Sequence, residues 1–215
     1  MKLKKIASLM LAVVMAVSML AGCNGSSNNG NSENGEEVTT PSTGISAAFN
    51  EALSQKAKNL VKFADDTKLN SALAKVVAGI SENDVKTAYQ SGVNYDSDLT
   101  VKIAAPSALD CKTTLQVIDE KTDKAVTTVA VFTAGQGMTD SGIVDAVVNQ
   151  IENLIEEFPT EGGKDVTNSY TYAGSVSITS KTFTNNNGVV RTVKYVAVSV
   201  TQTPTKISND KPATT

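Results

Sequence analysis

From Ile45 onward the apolar positions recur with helical spacing. Ile45, Ala48, Phe49, Ala52, Leu53, Leu60 and Ala64 fall on one stripe, with Ala57 beside it. This is the pattern of a helix that buries one side. A second stripe runs Leu69, Leu73, Val76 and Ile80, flanked by Ala72 and Val77. At about 100° per residue the second stripe lies about 200° from the first, so one straight helix cannot bury both. The spacing predicts a break near Asp65-Asp66-Thr67, with Asp66 or Thr67 capping a second helix. Gly79 weakens the end of that helix. Ser81-Glu82-Asn83-Asp84 then offers a cap for a short third helix through Val85, Ala88 and Tyr89 to Gly92.

Near Leu99 the period changes to two. Leu99, Val101 and Ile103 alternate with Thr100, Lys102 and Ala104, and Pro106 ends the run, which reads as a strand. Thr113 to Asp119 and Val126 to Thr133 form two more runs. The polar stretch Asp119-Glu120-Lys121-Thr122-Asp123-Lys124 between them reads as a hairpin loop. Helical spacing returns from Asp140 to Phe158, with Val144, Val148, Ile151, Leu154, Ile155 and Phe158 on one face and Pro159 as the stop. Two final runs, Tyr170–Thr182 and Val189–Thr201, flank Thr184-Asn185-Asn186-Asn187-Gly188. Asn and Gly accept positive φ cheaply, so this is the clearest hairpin in the chain. Toward its end the last strand is apolar on both faces, Val193, Tyr195 and Ala197 against Val196, Val198 and Val200. That predicts a central strand covered on both sides. Thr203 to Thr215 is a polar tail expected to fray.

These elements predict an α+β fold. N-terminal helices precede a mostly antiparallel sheet of about five strands with one inserted helix, and the helices pack on one face. The single folded domain is expected over residues 45–205, with a polar tail over 206–215.

The chain ahead of that domain is of another kind. Lys2, Lys4 and Lys5 form a basic segment, and Ile6 to Leu20 is an apolar run of about 15 residues, short for a membrane span and fitting for a signal peptide. Small residues then precede a lone cysteine: Leu20-Ala21-Gly22-Cys23. This arrangement resembles the lipobox of bacterial lipoproteins, a resemblance that covers residues 1–23 only. It implies cleavage between Gly22 and Cys23, so that residues 1–22 are removed. It also implies a thioether link from Cys23 to diacylglycerol, with acyl chains of the palmitate kind. Each buried CH₂ contributes about 0.8 kcal/mol, so two or more chains anchor a protein stably. Asn24 to Gly44 is rich in Gly, Ser and Asn and has almost nothing apolar except Val38. Residues 23–44 are therefore expected to be a lipidated cysteine and a disordered tether. About 21 such residues span roughly 25 Å root-mean-square and at most about 70 Å. The implied address is the outward-facing side of a cell membrane, held by the lipid.

Composition narrows the chemistry. Of 215 residues, 40% are apolar but only 5% aromatic, and Trp is absent, so the core is expected to be Val, Ala, Ile and Leu. The formal net charge is −3, and it becomes −6 once the leading segment with its three lysines is removed. A mildly acidic chain without a basic block has no electrostatic reason to bind nucleic acid or an anionic membrane surface. There is no His, which removes Ser-His-Asp and Cys-His catalysis and His-based zinc sites.

Four stretches still carry oxygen, backbone-amide or thiol chemistry. Gly135, Gly137, Thr139 and Asp140 lie between a predicted strand and a predicted helix, where phosphate loops occur. The spacing fails, however. The third glycine, Gly142, comes two places late for a dinucleotide loop, and Ile143 and Val144 stand where a P-loop needs Lys and Ser or Thr. A tight turn with Thr139 or Asp140 as helix cap is the preferred reading, and an anion or glycan hydroxyl at that helix end is the functional one. Asn94, Asp96 and Asp98 imitate the first half of a calcium loop. Leu99 replaces its glycine and Ala105 its bidentate Glu, so an EF-hand is excluded, and a solvated turn before a strand is preferred over an irregular Ca²⁺ site. Asp145, Asn149, Glu152 and Glu156 share one face of the predicted helix over 140–158 and read as its solvated side. Cys111 is a lone thiol, free or crosslinked to another molecule. Lys112 beside it would lower its pKa slightly.

No cofactor is expected. The reading favoured is a membrane-anchored surface lipoprotein with a binding or envelope-organising domain, facing a cell-surface protein or glycan. The alternatives are a His-independent hydrolase or inhibitor of cell-wall or glycan turnover, or a subunit of a surface assembly. An enzyme is the less favoured of these.

Overall fold

The computed structural model describes residues 38–39, 44–81, 85, 91–113, 115, 123–162, 168–184 and 187–207. The short helix expected through Ala88 and Tyr89, most of the run Thr113–Asp119 and its loop, and the tail beyond 207 lie outside the described residues.

The first helix, α1 (Ile45–Ala52), buries Ile45 and Phe49 and stops at Leu53. Ser54 then caps a second, α2 (Gln55–Leu60), by accepting a hydrogen bond from the Ala57 amide. Leu60 and Ala64 therefore do not continue the Ile45 stripe. Val61–Ala64 is instead strand β2, with Val61 and Phe63 buried and Lys62 and Ala64 exposed. The short period-two alternation in Leu60-Val61-Lys62-Phe63-Ala64 was masked by the helical pattern on either side. Asn50 secures the strand: its amide donates to the Phe63 carbonyl at 2.7 Å and its oxygen accepts from the Phe63 N–H at 2.8 Å. The side chain thus stands where a neighbouring strand would. The break at Asp66 is as expected. Asp66 accepts from the amides of Lys68 and Leu69 and starts α3 (Thr67–Ala78).

The run Leu99–Ile103 is not a strand. A short strand, β3 (Val93–Tyr95), precedes it, and residues Ser97–Ala104 form helix α4. Asp96 accepts from the Leu99 amide at 3.0 Å, and its carbonyl accepts from the Thr100 amide and hydroxyl. Leu99 with Ile103, and Thr100 with Ala104, are buried at helical spacing. Val101, the middle residue of the apparent alternation, is 60% exposed. The cap decides the conformation where two apolar periods overlap.

The remaining elements are β4 (Lys112–Thr113), β5 (Val126–Ala134), α5 (Asp140–Glu156), β6 (Glu161–Gly162), β7 (Asn168–Thr184) and β8 (Val190–Lys206). Thr139 caps α5. The hairpin expected around Asn187-Gly188 is present, with Thr184 opposite Val190. It is longer than predicted: Thr203–Lys206 pair with Asn168–Thr171 and belong to β8, not to a tail. Val38–Thr39 form strand β1 against Ser180 and Lys181, so the end of the expected tether lies in the sheet.

Among the described residues the fold is α+β around an eight-stranded sheet, ordered β1-β7-β8-β5-β3, with β2 and β6 also on β7 and β4 also on β5. Pairing is mostly antiparallel, but β2 runs parallel to β7 and β4 parallel to β5. Thr113 therefore does not begin an antiparallel hairpin with β5. It lies parallel to Val129, which requires a longer crossover than a hairpin turn.

Helices cover both faces of the sheet rather than one. On one side α1, α2 and α5 pack over Ala130 and Phe132 of β5, Val176 and Ile178 of β7, and Val196, Val198 and Val200 of β8. On the other, α3 and α4 cover Val129 and Val131, Phe183, and Val193, Tyr195 and Ala197. The two-faced apolar pattern of β8 is thereby explained. A fully buried Val, Leu, Ile or Phe contributes about 1.5–3 kcal/mol, so each face is a substantial core. Phe63 lies across Gly174, where an added Cβ would come within 2.5 Å of the ring. Phe49 meets Phe63 edge to face at 4.7 Å.

Candidate functional site

The stretch Gly135–Asp140 joins β5 to α5, and the structure brings its four candidate residues together as a turn and a cap. The Gly135 amide donates to the Gly92 carbonyl at 2.7 Å. Gly137 has φ +81°, a backbone state that favours glycine. Thr139 Oγ1 accepts from the Gly142 amide at 3.2 Å. Asp140 lies in the first turn, where its charge complements the helix dipole, and it pairs with Lys194 Nζ at 2.7 Å. Lys194 also donates to the Met138 carbonyl. The Gly135 and Gly142 amides are thus already paired, and the Asp140 carboxylate is neutralised by a lysine.

Asn94, Asp96 and Asp98 lie at a strand-to-helix junction, not in a solvated turn. Asn94 pairs with Thr133 in the β3–β5 ladder. Both carboxylate oxygens of Asp96 are engaged, one by the Leu99 amide and the other by Thr133 Oγ1 at 3.0 Å. Asp98 is exposed in the first turn of α4. Among the described residues no three His, Cys, Asp or Glu side chains group as metal ligands would.

The polar face of α5 divides in two. Asp145 and Asn149 are exposed, as expected of a solvated side, but Glu152 and Glu156 are half-buried against α2. The Ser54 amide donates to Glu152 Oε1, and Ser54 Oγ donates to Glu156 Oε1 at 2.7 Å. Lys56 adds an ion pair to Glu156 at 3.3 Å. The Ser54 hydrogen bond, with Lys56 behind it, lowers the Glu156 pKa below its ordinary 4.5, against a smaller opposing effect of burial. These carboxylates hold the start of α2, and nothing in the spacing of Glu152 and Glu156 alone signals a partner about 100 residues earlier.

Cys111 is free and half-buried against the α3–α4 core. Burial, with Asp110 beside it, raises its pKa to about 11. The slight lowering expected from Lys112 is therefore reversed: desolvation outweighs a neighbouring exposed cation.

Two buried polar arrangements escape the sequence reading. Lys181 is 2% exposed, and its ammonium donates to the carbonyls of Ala78 at 2.9 Å and Ile80 at 2.6 Å, above the Phe183 ring. It thus sits at the negative end of α3, where a cation is favoured. On the opposite face Gln202 donates to the Tyr172 hydroxyl, which in turn donates to the Pro159 carbonyl. The alternation of β7 marks Lys181 as in phase with Phe183. It does not say that a helix end waits above it.

The chain matches no protein-family model, no curated protein and no solved structure.

Proposed function

We propose that the protein is a lipid-anchored lipoprotein of the cell surface whose α+β domain acts in binding or envelope organisation. The observation that carries this reading is the ordered set of basic segment, short apolar run and Leu20-Ala21-Gly22-Cys23. No helix among the described residues is long and apolar enough to cross a membrane.

The test is metabolic labelling with radioactive fatty acid. Wild type incorporates label and Cys23→Ala does not. Equal incorporation by both overturns the reading. For the domain, a peptidoglycan-fragment, glycan and peptide panel is scored by thermal stability, where a ligand at a hundredfold excess over its Kd stabilises by about 2.7 kcal/mol.

A further inference from the structure

We propose that Asn187 is a site of spontaneous covalent modification, at which the side-chain amide is lost through an imide closed by the Gly188 nitrogen.

The chemistry has three requirements at one place. The backbone nitrogen of the following residue must reach the asparagine Cγ, that nitrogen must not be held in a helix or a ladder, and water must arrive. Asn187-Gly188 meets all three. Gly188 has no side chain to shield its nitrogen, and an added Cβ there would meet nothing within 4 Å. Its φ of +75° is a state that favours glycine. The last rung of the β7–β8 ladder pairs Thr184 with Val190, so Asn187 and Gly188 lie outside it. Both are exposed.

The other asparagines among the described residues fail on at least one count. None of them precedes a glycine. Asn50 holds the Phe63 backbone with both its side-chain oxygen and nitrogen. Asn59 Oδ1 accepts from Gln55, and Asn168 is 2% exposed and donates to Asp123. Asn70, Asn149 and Asn153 lie inside α3 and α5, where the next N–H is bonded to the carbonyl four residues back. Asn94 stands in β3 ahead of the bulky Tyr95.

The reaction needs only water. The Gly188 nitrogen bonds to Asn187 Cγ and gives up its proton, while the Cγ–Nδ2 bond breaks and the amide leaves as ammonia. Water then opens the imide at either carbonyl. Opening at the side-chain carbonyl gives aspartate. Opening at the main-chain carbonyl gives isoaspartate, with the side-chain carbon now part of the backbone. Either product adds one negative charge. The long ladder between β7 and β8 holds the chain on both sides of the loop, so the acidic form stays folded and accumulates.

The test keeps the folded full chain at pH 8 in oxygen-18 water and maps its peptides by mass. Mapping separates Asn187 from Asn24, Asn29 and Asn34, which also precede glycine. Asn187 is expected to convert about tenfold faster than the asparagines of α3 and α5, the factor that release of one backbone hydrogen bond supplies. Its product carries heavy oxygen and contains isoaspartate beside aspartate. Conversion no faster than at the helical asparagines overturns the proposal. Aspartate without isoaspartate overturns it too, because direct hydrolysis of the amide gives that product alone. Gly188→Ala is the second measurement. The open space around the added Cβ accommodates it, and circular dichroism checks the fold. Conversion at Asn187 should slow, and an unchanged rate would show that the Gly188 nitrogen does not close the imide.

Discussion

The two faces of the sheet are closed by different means. Under α1, α2 and α5 the interior is mostly apolar: Phe49 against Phe63, Phe63 across Gly174, and the aliphatic rows of β5, β7 and β8. Polar contacts from those helices lie toward the rim, at Ser54, Gln150 and Lys194, which are exposed or half-buried. Under α3 and α4 the polar contacts are inside. Lys181 holds the end of α3, the Val131 amide donates to the fully buried Thr100 Oγ1, and Thr133 Oγ1 donates to Asp96. The first face is held mainly by volume, with the buried Gln202–Tyr172 hydrogen bond set into it, and the other pins helix ends to strands by hydrogen bonds. Volume tolerates exchange among apolar residues of similar size, whereas a buried polar pin costs most when one partner is removed.

The contrast predicts a ranking. Phe49→Ala empties the first face and should cost about 3–5 kcal/mol, read as a fall in the urea midpoint at unchanged m-value. Gly174→Ala pushes a methyl into the Phe63 ring and should cost about 1–3 kcal/mol. Because Phe49 packs edge to face on that ring, the Gly174→Ala cost should shrink in a Phe49→Ala background. Additive costs would mean that the rings do not confine each other.

On the second face, Lys181→Met keeps the volume but leaves the Ala78 and Ile80 carbonyls without their donor. The expected loss is about 1–3 kcal/mol, although the substitution is toward a more apolar side chain. An unchanged midpoint would show that this face, too, is held by volume.

The same contrast explains which parts could be read from the chain. Volume leaves a periodic trace: the stripes of α3 and α5 and the two-faced β8 agree with the structure. A polar pin leaves none. Thr100 interrupts an apolar run in α4, so Leu99–Ile103 resembles a strand until Asp96 is seen to cap it. Alternation places Lys181 in phase with Phe183 but does not reveal the helix end it meets, and Glu152 and Glu156 read as a solvated face, because the groups they meet are remote in sequence. The caps at Asp66 and Thr139 and the turn at Gly137 follow from local chemistry alone. The two-faced pattern of β8 shows cover on both sides but does not say that helices supply it on both, because burial of a position does not reveal what covers it.

Two smaller effects follow from titration. Cys111, held at about 11, should react with a thiol reagent at pH 8 about 100-fold more slowly than an ordinary cysteine. Full reactivity should return in denaturant, and rapid labelling of the folded protein would contradict its packing against the α3–α4 core. Smallest is the acid limb. The Glu156 pKa is lower folded than unfolded, so its contribution is complete above about pH 4.5 and is lost as pH falls through the folded value. Glu156→Gln should flatten that part of the stability curve and leave the neutral-to-alkaline part parallel to wild type.

The central claim, that this domain is carried on a lipid at Cys23, is met most directly by the intact mass of the mature protein extracted from its host's membranes. The expected chain begins at Cys23 and carries the added mass of a thioether-linked diacylglycerol. A mature chain beginning at any other residue, or a Cys23 with an unmodified thiol, would contradict it.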